Sequence, residues 1–201
     1  MNRKLSVRDI SSIAVLGALG AVLMFFDFPI FIAPSFYKLD MGDLPCLIGA
    51  FALGPMPALF IQVVKILVKL LLKPTSTAFV GETAAFIFSS VFCVSAAFIY
   101  QSQKSRRGAI KAMAVATILM VIAATIGNYV FIIPAYVRMY GLPLEAIIAM
   151  GTKIFPAVHD KLSFVLFCVA PFNLIKGLVV DVLTFFLYKR ISPLLKGGNK
   201  A

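Results

Sequence analysis

Long apolar runs alternate with short polar interruptions along the whole chain, and the runs approach the ~20 residues needed to cross a ~30 Å hydrocarbon core. The alternating segments of about ten residues that mark a membrane β-barrel are absent. The pattern predicts a first helix from Asp9 to Phe26, a loop over 27–42, and an apolar segment from Asp43 to Lys73. A helix over 80–100, a loop over 101–111 and a helix over 112–137 follow, the last interrupted at Gly127-Asn128 and ended near Pro134. Residues 138–160 form a connector whose LPLEAIIAMG portion reads as a short interfacial helix. A final helix runs from Lys161 to Lys189, with Pro171, Asn173, Lys176, Gly177 and Asp181 inside it. No internal repeat stands out.

Residues 43–73 decide the topology. Basic residues gather in three patches: Arg3, Lys4 and Arg8; Lys104, Arg106, Arg107 and Lys111; Lys189, Arg190, Lys196 and Lys200. Short basic segments beside apolar runs stay on the cytoplasmic side, so an even number of crossings separates neighbouring patches. The first helix and the run at 80–100 supply two. Residues 43–73 must then supply an even number as well, as a hairpin turning at Gly54-Pro55-Met56-Pro57, where proline clashes with the preceding turn. At its start Asp43 reads as an N-cap, Pro45 fits the first turn and Gly42 permits a tight entry. The first arm, about 11 residues at 1.5 Å each, spans only about 17 Å, so its turn needs protein around it. The expectation is an all-α integral membrane protein of six transmembrane helices, both termini cytoplasmic, with 1–201 as a single domain.

Composition agrees with that class. At 61% hydrophobic and 13% charged, the chain is too apolar for a soluble globular domain. The net charge of +11 is not a nucleic-acid signal, because it sits in the three topological patches, where Asp9 is the one acidic residue. Attraction to anionic lipid fits the same placement. Cys46, Cys93 and Cys168 lie far apart in apolar runs without CxxC spacing, and read as small core residues. A basic start before an apolar run is the outline of a signal peptide over 1–26, but no small-x-small cleavage site precedes the polar loop, so an uncleaved helix is expected.

Catalytic motifs are missing: no HExxH, GxSxG or phosphate loop occurs, and the neighbours His159 and Asp160 do not make a triad. Without a nucleotide motif, energy must come from an ion gradient or a partner. The polar residues inside the helices carry more. Asn173 and Lys176 share a helix face, and Asn128 lies in the outer half of its helix. Such groups either mark a substrate path or glue helices together, with Lys176 on Asp181 or Glu82. As binding groups, amides and an ammonium suit a neutral flat heterocycle with carbonyls and ring nitrogens. Tyr129, Phe131 and Phe172 are near enough to supply aromatic walls. Lys65, Lys69 and Lys73 form one basic stripe; the last two snorkel outward, while the deeper Lys65 wants a partner or a functional site. Phe25, Phe26, Phe28, Phe31, Phe36 and Tyr37 either sit in the membrane interface or fold back as a lid. On the first helix Ala14, Gly17, Ala18 and Ala21 share a face, for internal packing or for docking another subunit.

Ala14-x-x-x-Ala18, the stretch KLDMGDLPCLIGAFALGP followed by a Lys-bearing helix, Gly127-Asn128-Tyr129 and Phe172-Asn173-x-x-Lys176 resemble the S components of energy-coupling factor vitamin transporters. The resemblance is closest to the riboflavin-specific members and covers nearly the whole chain. It implies a multi-pass protein of the bacterial plasma membrane that binds riboflavin from outside, under the first loop. It also implies partners: a transmembrane coupling subunit and two ATP-binding-cassette ATPases shared by several S components. Membrane lipids complete the set, and no nucleic acid and no cofactor are implied, riboflavin being the transported ligand. Carried over by residue, Leu39, Asp40, Met41 and Gly42 are lid contacts; Asn128, Tyr129, Asn173 and Lys176 meet the flavin; Ala14 and Ala18 face the coupling subunit. Another vitamin, or flavin mononucleotide with its phosphate on Lys38 or Lys65, stays open as an alternative ligand. So do a lipid-modifying membrane enzyme and a stand-alone facilitator.

Overall fold

The computed structural model of the chain describes residues 5–196, with side chains as far as residue 191; Arg3, Lys4 and Lys200 of the basic patches, and the side chain of Lys196, lie outside that range. Helix α1 (Val7–Leu23) starts before Asp9 and stops short of Phe26. Its start is set by a reciprocal cap, in which the Asp9 N–H donates to Ser6 Oγ at 3.2 Å and the Ser6 N–H donates to the Asp9 carboxylate at 2.9 Å. Residues 24–42 are more ordered than a loop: β1 (Phe28–Pro29) and β2 (Lys38–Leu39) pair antiparallel, Phe28 opposite Leu39. This short ribbon is a departure from an all-helical chain.

Helices α2 (Asp43–Leu53) and α3 (Pro55–Leu72) meet at Gly54, whose φ of +107° strains any residue with a side chain. Pro55 opens α3, where a missing N–H is harmless. Asp43 does not cap α2. Gly42 holds the cap position, and its N–H donates to Asp40 Oδ1 at 2.8 Å, so Asp43 is free to turn its carboxylate into the bundle.

Helix α4 (Val80–Ser102) and α5 (Arg106–Gly127) are joined by residues 103–105 alone. Arg106, Arg107 and Lys111 therefore ride on α5 and not in a loop, and Ser105 caps that helix through the Gly108 N–H at 3.0 Å. A π turn (Asn128–Ile132) leads into α6 (Ile133–Met139), and α7 (Leu144–Thr152) follows. Helix α8 (Lys161–Phe164) passes through a second π turn (Val165–Val169) into α9 (Ala170–Lys196). Pro134 does not end its helix. Like Pro171, it is separated by one residue from the end of a π turn, whose wider backbone ladder already departs from the α pattern that proline would break.

These turns also settle which face points inward. Met120, Ala124, Asn128, Ile132 and Tyr136 are all buried, one every four residues. On a regular helix of 3.6 residues per turn, such a row drifts about 40° around the axis at each step. A wider π turn takes back part of that drift and keeps the row on the interior.

Helix α2 is the hub, packed on α1, α3, α4 and α9, with nine of its eleven residues buried. Among the described residues, four helices are long and apolar enough to cross a membrane: Pro55–Leu72, Val80–Ser102, Arg106–Met139 and Lys161–Ile191. The shorter α1 packs along α3, and a side chain at Gly17 would meet Val64 at 2.5 Å. The small-residue face of α1 is thus divided: Gly17 and Ala21 pack inward, Ala14 is exposed and Ala18 half-buried. All three cysteines are buried and free.

Candidate functional site

Two carboxylates and two ammoniums meet where α2 begins. Lys65 Nζ donates to Asp43 Oδ1 at 2.6 Å, with both side chains 1% exposed. Lys176 Nζ lies 3.0 Å from Asp40 Oδ2 and 3.2 Å from Asp43 Oδ2. Ser89 Oγ donates to Asp43 Oδ2 at 2.8 Å, and Gln62 Nε2 lies 3.4 Å from Oδ1. Isolated charge inside an apolar bundle is costly, whereas a balanced and hydrogen-bonded set is tolerated. The cluster joins the 24–42 segment, α2, α3, α4 and α9 at one point. Close backbone contact supports it, since a side chain on Gly20 or on Gly42 would meet the other's carbonyl oxygen at 2.9 Å.

Beside this cluster lies a cavity of about 490 Å³, a size that suits a small organic ligand. Asn128 and Asn173 line it, each held by a bond from Nδ2 to the carbonyl four residues back, Ala124 at 2.8 Å and Val169 at 2.9 Å. Anchoring by the nitrogen leaves each Oδ1 for another donor. On Asn128 that donor is the Tyr37 hydroxyl, at 2.6 Å. Burial holds the Tyr37 phenol well above its ordinary pKa, so it is a neutral donor. Phe36, Tyr37, Tyr136 and Phe172 add aromatic surface to the lining. Glu82, also on the lining, accepts from Lys69, from Thr75 Oγ1 at 2.9 Å and from Thr77 Oγ1 at 3.2 Å.

Of the residues singled out in the sequence, Asp40, Asn128, Phe172, Asn173 and Lys176 line this cavity, as do Phe25, Phe36, Tyr37 and Lys38 of the first loop and Lys69 and Lys73 of the basic stripe. Leu39, in β2 of the ribbon, and Met41 just beyond it belong instead to an apolar cluster with Ile32, Ala33 and Phe172, and Gly42 is the cap of α2. Tyr129 turns away: the residue is 40% exposed, and its ring carries Lys161 Nζ at 4.1 Å from the centroid. Adjacent helical residues point in different directions, so a neighbour of Asn128 in sequence is not its neighbour in the wall. Phe131 is exposed for the same reason. Lys176 pairs with neither Asp181, which accepts from Thr117 at 2.7 Å, nor Glu82, but with Asp40 and Asp43. Sequence reasoning missed Asp43, Gln62 and Ser89 as supports of Lys176. The available signal was an acid and a base, Asp43 and Lys65, in opposite arms of one hairpin.

A membrane-type helical bundle with an internal cavity, amides and an ammonium on its wall and a ribbon folded against it, is the architecture of a small-molecule binding subunit. The chain belongs to the family of ECF transporter substrate-specific components, whose model matches residues 8–188. It is a component of a transporter and not an enzyme. It is 32% identical over 197 residues to the riboflavin transporter RibU of Staphylococcus aureus (strain TCH60), covering 96% of this chain and 97% of that one. The riboflavin transporter FmnP of Bacillus subtilis (strain 168) is 25% identical, with 98% of each chain covered. A solved structure described as the S component of a bacterial ECF transporter superposes with a TM-score of 0.72 at 30% identity, over 94% of this chain and 97% of that one.

Proposed function

We propose that this protein captures riboflavin in the cavity between the 24–42 segment, α4, α5 and α9 and supplies it to an ATP-driven importer of the bacterial cell membrane. The observation that carries the reading is the convergence of Asn128, Asn173, Lys176 and Phe172 on one cavity of suitable size. Riboflavin offers a flat ring for an aromatic wall and an imide edge with two carbonyls and one N–H. The amide oxygens of Asn128 and Asn173 are acceptors for such an N–H, and the remaining amide hydrogens and the Lys176 ammonium are donors for the carbonyls. Full-length similarity to two riboflavin transporters supports the same ligand.

In this reading 1–201 is a single membrane domain, in which α1 and α2 add two crossings to the four longer ones, and both termini are cytoplasmic. The exposed side of α1, with Ala14 and Ala18, meets a transmembrane coupling subunit that carries two ATP-binding-cassette ATPases. Riboflavin titrated into the purified chain should lose its fluorescence in a saturable, one-to-one manner. No quenching by riboflavin, with another vitamin bound instead, would overturn the assignment.

A further inference from the structure

The segment between α1 and α2 grips two of the groups assigned to the ligand. Tyr37 donates to Asn128 Oδ1 at 2.6 Å, and Asp40 accepts from Lys176 at 3.0 Å. The two grips differ in kind. Asp40 belongs to the balanced charge cluster and is further held by the Gly42 N–H, so releasing it would strand a buried carboxylate. Tyr37 is a neutral hydroxyl on a neutral amide, a contact whose net worth is small and which another donor can replace. Its ring also occupies aromatic space, with centroids 5.4 Å from Phe172, 6.4 Å from Phe164 and 4.7 Å from Phe36. A phenol on Asn128 beside Phe172 thus offers one donor and one flat ring, in the place where the ligand brings an imide N–H and a flat ring.

We infer that Tyr37 is a built-in placeholder: its hydroxyl satisfies Asn128 Oδ1, its ring holds the slot beside Phe172, and the ligand must displace it to bind. Asp40 stays on Lys176 as the anchor, and the chain between them turns Tyr37 out of the slot. The Asp27–Lys38 ion pair and the β1–β2 ladder keep the neighbouring ribbon together while this happens. The benefit is that Oδ1 of the buried Asn128 always has a donor. The consequence is that Tyr37 competes with the vitamin.

The inference rests on the assignment of Asn128 to the ligand, and the test separates the two. Riboflavin binding to the full chain in detergent micelles is followed by stopped-flow quenching of flavin fluorescence for the wild type, Tyr37→Phe, Asn128→Ala and the double variant. Removing the competing hydroxyl should accelerate association and tighten binding about 3- to 10-fold. The same substitution should have no effect once Asn128 is alanine. Tyr37→Leu, which clears the ring as well, should also accelerate association and serves if the Phe variant does not fold. Weaker binding of Tyr37→Phe would make Tyr37 a ligand contact, and unchanged rate and affinity would make it a bystander; either overturns the placeholder. If Asn128→Ala itself leaves affinity unchanged, the assignment of Asn128 fails first and the placeholder with it.

Discussion

Asp43 and Lys65 stand 22 positions apart in the chain and 2.6 Å apart in space, with Gly54 midway between them. On one continuous helix that separation would be about 33 Å. The contact therefore makes α2 and α3 an antiparallel hairpin, and it places the short, buried α2 beside the cavity. Because Lys176 joins Asp43 as well, the pair that closes the hairpin also positions a wall of the site.

Breaking that pair one-sidedly should be expensive. Lys65→Met leaves two carboxylates facing one ammonium, and the expected loss is about 3–5 kcal/mol of stability. Asp43→Leu combined with Lys65→Met restores one carboxylate to one ammonium and should recover most of it. The buried thiols of Cys46, Cys93 and Cys168 supply the readout, through reaction with a thiol probe during thermal unfolding. A Lys65→Met protein that unfolds at the wild-type temperature would show the pair to be incidental.

The cavity wall should respond according to what each residue faces. Loss of a buried neutral hydrogen-bonding partner costs about 1–3 kcal/mol, so Asn173→Ala should weaken riboflavin binding about 5- to 150-fold. Tyr129→Ala, on the outer surface, should change affinity less than about 2-fold, since it removes no wall contact. Equilibrium quenching titrations compare the two directly. Equal losses in both variants would place the ligand elsewhere.

Asp40 tests the lid separately from the wall. Asp40→Asn weakens the tie between the 24–42 segment and Lys176 without changing the shape of the side chain. Riboflavin dissociation should accelerate several-fold, on the scale of about 1–2 kcal/mol for a charge-assisted bond. Chasing bound riboflavin with an excess of a non-fluorescent analogue gives that rate, and an unchanged rate would remove Asp40 from the lid.

On α1, Ala14 is exposed and Ala18 half-buried, while Gly17 and Ala21 pack inward. Replacing Ala14 and Ala18 with Leu should leave riboflavin binding within about 2-fold of wild type, while holding a partner helix away and stopping uptake into cells. Loss of binding in the isolated double variant would instead mean that this face packs internally.

Orientation is tested by single cysteines in a variant lacking Cys46, Cys93 and Cys168. Lys38→Cys should react with an impermeant reagent from outside the cell, and Ser105→Cys only after permeabilisation. Labelling at position 105 in intact cells would refute the crossing count.

The sequence by itself determined the class of protein, the helical runs and the hairpin. These follow from local hydropathy and from charge placement, which act segment by segment. It also marked Asn128, Asn173 and Lys176, because polar groups in apolar helices require a reason to be there. Pairing was left to the tertiary structure. One partner of Lys176, Asp40, is 136 positions away, just past a two-residue strand with no visible period, so no spacing rule reaches it. Nor does spacing reveal that Tyr37 lies on Asn128, 91 positions distant, while Tyr129 points outward. The phase of a helix after a π turn depends on how its neighbours pack, and the charge cluster forms only when five separate segments converge at the start of α2.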